Sequence, residues 1–157
     1  MKIFITNNPE RAPKTHLVLS PKIEENNDME CHIPLHDQNL DEYADDGELE
    51  ELVSDGTVEY IPIHKVMEVL MGWVKKIKHG GTIIVSGVDA YLTAKAFVDG
   101  YISIEQFNVY VHGTPNEDNK TVNLTTIGIV NLMVSLGLTI KHKRLDINKF
   151  VVEGTRP

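Results

Sequence analysis

The chain has 157 residues, of which 41% are hydrophobic and 24% charged, and its formal net charge is −8. That length suits one domain spanning residues 1–157, and the balance is that of an ordinary globular protein. No apolar run approaches the ~18 residues of a membrane span, and a single cysteine, Cys31, excludes an internal disulfide.

The opening MKIFITNNPERAPK carries no apolar core behind a basic start. No secretory signal is therefore expected, and a reducing, cytoplasmic setting fits. Between Glu24 and Glu59 lie 14 of the 23 acidic residues and no Lys or Arg. The cations gather at Lys75, Lys76 and Lys78 and at Lys141, Lys143 and Arg144. A nucleic-acid binder ordinarily shows a broad basic face, because phosphate neutralisation supplies its nonspecific affinity. The distribution argues against nucleic acid and leaves another protein chain or a small ligand as partner.

In chain order, Met1 to Thr6 reads as a strand ended by Asn7, Asn8 and Pro9, and His16 to Ser20 as a second ended by Pro21. Met29 to Leu35 reads as a third, which Pro34 confines to an edge or an early end. The acidic run from Asp41 reads as loop with a helical turn around Glu48 to Val53. Ser54-Asp55-Gly56 then marks a turn before a strand at Thr57 to Ile61.

From His64 to Lys78 the apolar residues Val66, Val69, Leu70, Trp73 and Ile77 recur at helical spacing, with lysines in the last turn and a Gly80-Gly81 stop. The short β-branched run Thr82 to Ser86 suits a strand buried on both faces. A second helix is expected at Asp89 to Phe97, an irregular excursion from Gly100 to Asn123, and a third helix from Thr125 or Thr126 to Ser135. Leu138 to Lys143 and Lys149 to Glu153 close the chain as an antiparallel pair at one edge. Strands alternating with helices predict an α/β domain.

From Asp55 the residues resemble class I S-adenosylmethionine-dependent methyltransferases, especially a small branch found beside sugar-processing genes. Asp55-Gly56-Thr57-Val58-Glu59-Tyr60-Ile61 through Glu68 is similar to the family's D-G-S-V-D-x-I-x-A-S-H-V-L-E. Trp73-Val74-Lys75-Lys76-Ile77-Lys78-His79-Gly80-Gly81 through Asp89 is similar to W-x-R-V-L-K-P-G-G-x-L-x-I-x-V-P-D. With the helix ending Leu136-Gly137-Leu138 and the final strand pair, the resemblance reaches Glu153. It implies a Rossmann-like class I methyltransferase sheet, mostly parallel with an antiparallel C-terminal hairpin strand.

The resemblance also implies a glycine-rich cofactor loop after the first core strand, and this chain departs from it. The strand His16 to Leu19 is followed by Ser20-Pro21-Lys22-Ile23-Glu24-Glu25, and no glycine occurs from Met1 to Asp46. Proline removes a donor, and side chains fill space that glycine would leave open. The family's ribose-binding acid has Glu30 or Asp37 as its nearest counterparts, and an adenine-side acid would be Asp45 or Asp46. Ser20 and His64 complete the cofactor candidates, set against solvated loop residues.

For chemistry, His64 has the pKa range of a general base and Glu68 matches a family glutamate, although the family has Ser where His64 stands. Cys31, His32, His36 and Asp37 suggest a metal cluster, but in a strand the two histidines would lie ~13 Å apart, so no metal is expected. The leading expectation is a methyltransferase-like protein that has lost S-adenosylmethionine, requires no cofactor and serves as a noncatalytic binding or interaction module. The alternative is an active enzyme with an atypical loop, using S-adenosylmethionine on a sugar or other small acceptor.

Overall fold

Alternation of apolar and polar side chains in Lys2–Thr6 (β1) buries Ile3 and Ile5 while Phe4 between them is half-buried, as expected of a strand with one face on a core. The computed structural model describes residues 1–21, 32–114 and 119–157. Beside β1 stand Leu17–Leu19 (β2), Leu49–Asp55 (β3), Ile77–Val88 (β4), Thr139–Asp146 (β5) and Lys149–Thr155 (β6). They form one six-stranded sheet in the order β2-β1-β3-β4-β6-β5. The first four strands are parallel, and β6 runs antiparallel to both β4 and β5. This is the mostly parallel α/β sheet with an antiparallel C-terminal hairpin that the sequence predicts.

The helices are Ile63–Lys76 (α1), Ala90–Val98 (α2), Ile104–His112 (α3) and Thr126–Ser135 (α4). The buried stripe of α1, Val66, Val69, Leu70 and Trp73, joins Ile129 and Met133 of α4 in one cluster with Ile3, Ile5, Leu52, Ile83, Val85, Phe150 and Val152 of the sheet. Residues of the opposite sheet face that share register rows, Phe4, Val53 and Ile84, are only half-buried and stand outside that cluster. The run Thr82 to Ser86 is therefore not buried on both faces. Its β-branched residues serve strand propensity, while only Ile83 and Val85 face the helices.

Helix α1 ends at Lys76, short of the expected Lys78, and Gly80-Gly81 stand inside β4 at a register shift opposite Leu49 and Glu51, where a turn between helix and strand is expected from sequence. Gly80 has φ +77, open to glycine at little cost, and a Cβ on Gly81 would lie 2.9 Å from the Leu49 carbonyl. Arg156 seals the same helix end, its guanidinium donating to the carbonyls of Lys75 at 3.1 Å and Ile77 at 2.6 Å.

Three further expectations are corrected. The parallel neighbour of β4 is Leu49–Asp55, and Val58–Tyr60 is a 3-10 turn. The acidic residues that suggest loop or helix sit on positions left open to solvent, Glu50 exposed and Glu51 half-buried, while Leu49, Leu52 and Ser54 point inward. The central N-terminal strand is Lys2–Thr6, flanked by β2 and β3, so the segment leaving the sheet centre is Asn7 to Arg11; of the loop expected at Ser20 to Glu25, residues 22–25 lie outside the described residues. The stretch from Gly100 to Asn123 contains α3, whose start is fixed by a capping box between Ser103 and Gln106. The closing pair lies antiparallel at one edge of the sheet, as expected, with β5 outermost.

Of the strand expected at Met29 to Leu35, residues 29–31 lie outside the described residues. His32 makes an isolated parallel bridge with Ser20.

The β5–β6 hairpin turns on Ile147, a β-branched residue at φ 56 with 85% of its surface exposed. Its neighbour Asn148 causes this. Asn148 is 4% exposed, donates from Nδ2 to Thr93 Oγ1 at 3.1 Å, and accepts the Asp89 N–H on its carbonyl at 2.7 Å. Anchoring Asn148 inward leaves Ile147 left-handed and outside. Replacing Ile147 with Gly should therefore stabilise the protein by about 1 kcal/mol, seen as a higher thermal midpoint. Phe150→Ala should cost about 3 to 5 kcal/mol in denaturant unfolding, because Phe150 is fully buried between sheet and helices.

Candidate functional site

The chain leaves β1 toward β2 on one side, then places β3 on the other, so the strand order reverses beside β1. In open α/β sheets that switch point, beyond the carboxyl ends of the strands, is where a crevice forms. A cleft of about 410 Å³ lies there, lined by Thr6, Asn7 and Arg11 after β1, Asp55 and Glu59 after β3, and Ser86 to Val88 of β4.

Register sets its floor. Thr6 pairs with Asp55, and Asp55 with Ser86, so one carboxylate stands between two hydroxyls. Thr6 Oγ1 donates to Asp55 Oδ2 at 3.3 Å and Ser86 Oγ to Oδ1 at 3.2 Å. Asn7 Oδ1, on the same cleft, is buried without a hydrogen-bond partner.

Glu59 fastens one wall. It is 5% exposed, yet every oxygen is used. Oε1 accepts the Val88 N–H at 2.7 Å, Oε2 pairs with Lys120 Nζ at 2.9 Å, and the carbonyl accepts the N–H groups of Thr121 at 2.8 Å and Val122 at 3.2 Å. Lys120 also donates to the Tyr110 carbonyl at 2.8 Å. The segment at residues 120–122 is thus strapped to the 3-10 turn and to the end of β4. Sequence reasoning missed Glu59; its signal was an acid inside the apolar run Val58-Glu59-Tyr60-Ile61.

Asp89 stands just past β4. Its Oδ1 accepts the Leu92 N–H at 2.9 Å as the cap of α2, and Oδ2 accepts both the N–H and the hydroxyl of Thr126, at 2.8 and 2.7 Å. Burial alone would push this carboxyl up; the donors from Leu92 and Thr126 outweigh it and hold Asp89 below its ordinary value of 3.8.

The residues singled out in the sequence fall elsewhere. Asp37, Asp46 and Glu68 meet along a second cleft of about 340 Å³ beside α1, where Lys76 Nζ pairs with Asp41 at 2.7 Å and Asp46 at 3.0 Å. Those carboxylates raise the Lys76 pKa. Gln38, fully buried on the same cleft, donates to the carbonyls of Leu35 and Thr57 and leaves Oε1 without a partner. His64 is exposed in the first turn of α1 and lines neither cleft. Asp45 is exposed, and its N–H is bound by the Glu48 carboxylate at 2.9 Å.

Ser20 follows β2 and bridges to His32, and Glu30 and Cys31 lie outside the described residues. His36 donates from Nδ1 to the Tyr60 carbonyl at 2.7 Å. Among the described residues no three His, Cys, Asp or Glu side chains are grouped to hold a metal ion.

No family model matches the sequence, and no curated protein matches it. Solved structures do. A possible histamine N-methyltransferase from Thermotoga maritima, S-adenosylmethionine-dependent, superposes with TM-score 0.63 at 14% identity over 99% of this chain and 82% of that one. An S-adenosylmethionine-dependent methyltransferase from Mesorhizobium loti gives 0.63 at 10% identity, covering 99% and 90%. A complex of the Trm112 methyltransferase activator with a methyltransferase from Haloferax volcanii gives 0.63 at 10%, covering 99% and 81%. At such identities the likeness establishes the fold alone: a Rossmann-like α/β sheet of the kind these methyltransferases have. No helix among the described residues is long and apolar enough to cross a membrane.

Because the Asp89 carboxyl is held low, its stabilising effect is complete above about pH 4 and is lost as pH falls through the depressed folded value. Thermal midpoints of Asp89→Asn should be lower than wild type at pH 7, by the equivalent of about 1 to 3 kcal/mol, and should converge toward it below pH 4. Glu59→Gln strands a buried Lys120 and should cost about 3 to 5 kcal/mol in denaturant unfolding.

Proposed function

We propose that this protein is a noncatalytic member of the methyltransferase-like fold, in which the switch-point cleft has lost S-adenosylmethionine and binds a different small ligand or a segment of a partner chain. The observation that carries this reading is the segment Asn7 to Ala12, which occupies the place after the central strand where a cofactor loop would approach its ligand. It forms a 3-10 turn with no glycine.

Donors are the scarce resource in that turn. The Asn8 N–H goes to Thr6 Oγ1 at 3.0 Å, and those of Arg11 and Ala12 go to the carbonyls of Asn8 and Pro9, both at 3.1 Å. Pro9 has none. A charged amino-acid moiety at this point would meet spent amides and the side chains of Asn7, Asn8 and Arg11, where glycine would admit the backbone. Beyond β2 stands Ser20, and no carboxylate follows it before Glu24. These residues do not fit the cofactor. Ser20, Glu30, Asp37, Asp46 and His64 accordingly have no cofactor role in this reading, and His64 and Glu68 none in catalysis.

The alternative is an active S-adenosylmethionine-dependent enzyme of the small sugar-gene-associated branch, taking a sugar or other small acceptor. It is favoured by the cleft's position and by Asp55, a carboxylate held between two hydroxyls at its floor. Calorimetric titration with S-adenosylmethionine and S-adenosylhomocysteine separates the two readings. No binding is expected at millimolar ligand, which corresponds to less than about 4 kcal/mol of binding free energy. Micromolar binding that is lost on changing Asp55→Ala would establish the alternative.

A further inference from the structure

The edge strand β5 is exposed along its whole length except at Ile140, which is half-buried. It carries Lys141, His142, Lys143 and Arg144 in succession, in a chain whose net charge is −8. Among the described residues none of these four makes an ion pair. Register with β6 opposes Lys143 to Val152, whose side chain is in the core, and Arg144 to Val151, so cations project from both faces of the strand. Past a shift between Ile140 and His142 the pairing is regular from His142 to Asp146.

The amides and carbonyls on the outer side of such a strand have no neighbouring strand, and lysines on an edge commonly act as guards against self-association. A guard requires one or two charges. Here the positive strip continues across both faces of a regular edge and ends in exposed apolar groups, Leu145 at 56% and Ile147 at 85%. The protein's other lysine cluster is largely neutralised at home, Lys76 by Asp41 and Asp46 and Lys78 by Glu50. On the β5 strip Glu153 stands opposite His142 in register, while Lys143 and Arg144 face valines.

We infer that β5 is a docking edge for an acidic, extended segment of a partner protein, added to the sheet as a seventh strand. Main-chain bonds to the outer side of β5 give the affinity, carboxylates facing Lys141 to Arg144 give the selection, and an apolar residue of the segment rests on Leu145 and Ile147. None of the β5 residues lines the switch-point cleft, so this inference stands apart from the identity of any ligand there.

The test is fluorescence anisotropy with a labelled eight-residue peptide of alternating Glu and Val, capped at both ends. Three comparators accompany it: the same peptide N-methylated on alternate residues, a Lys-Val peptide, and single-stranded oligothymidine. The acidic peptide is expected to bind, the Lys-Val peptide not to bind, and N-methylation to weaken binding by about tenfold or more through loss of two or three main-chain bonds. Lys143→Glu with Arg144→Glu should abolish binding while leaving the thermal midpoint near wild type, since both side chains are exposed. Slowed hydrogen exchange of alternate β5 amides on binding would locate the peptide. Equal binding of the N-methylated peptide, tighter binding of oligothymidine, or no binding of the acidic peptide at millimolar concentration would overturn the proposal.

Discussion

A buried aspartate, whose carboxylate accepts three hydrogen bonds and whose N–H donates another, organises the C-terminal half of this molecule. Asp89 caps α2 through Leu92, holds the first turn of α4 through Thr126, and offers its own N–H to the Asn148 carbonyl at the hairpin tip. An ionised carboxylate is costly to bury unless donors surround it. Here the donors come from the very elements that must be brought together, so satisfying the charge and assembling the fold are one event. The left-handed Ile147 follows, because Asn148 turns inward to serve the same network.

The cleft depends on a comparable arrangement one strand away. Glu59 accepts from the end of β4 and from residues 121–122 while pairing with Lys120, so the wall of the cleft is a tied segment and not a free loop. The opposite wall, Asn7 to Arg11, is short because β1 passes to β2 through a 3-10 turn. Where a helix N-terminus would present free amides to an anionic group, this turn has consumed most of its own. The sheet survives this because α1 and α4 cover its other face with a complete apolar cluster.

Charge in the chain is segregated, but the surface is less polarised than the sequence suggests. Much of the acidic third is locally compensated, Asp41 and Asp46 by Lys76, Glu50 by Lys78, Glu51 by Lys2 and Glu59 by Lys120. The exposed pairs among these add little stability, yet they quench the field near them. The basic edge at β5, at the far side of the sheet from β2, has no such pairs among the described residues.

Local pattern by itself determined α1, α2 and α4, β1, β2 and the closing strand pair, because helical periodicity, caps and β-branched runs act over a few residues. The resemblance from Asp55 onward agreed with that sheet class, and the similarity to solved methyltransferases supports it. Tertiary structure alone decided that Leu49–Asp55 is a strand, since its glutamates become tolerable only when one sheet face is left open. It decided that Lys2–Thr6 is central, because strand order is set by pairing between residues some 50 positions apart, such as Thr6 with Asp55. It also decided which acids matter: an acid inside the apolar run at Val58 to Ile61 is the one sequence sign of Glu59, and burial among aimed N–H groups and a lysine is what sets Glu59 and Asp89 apart.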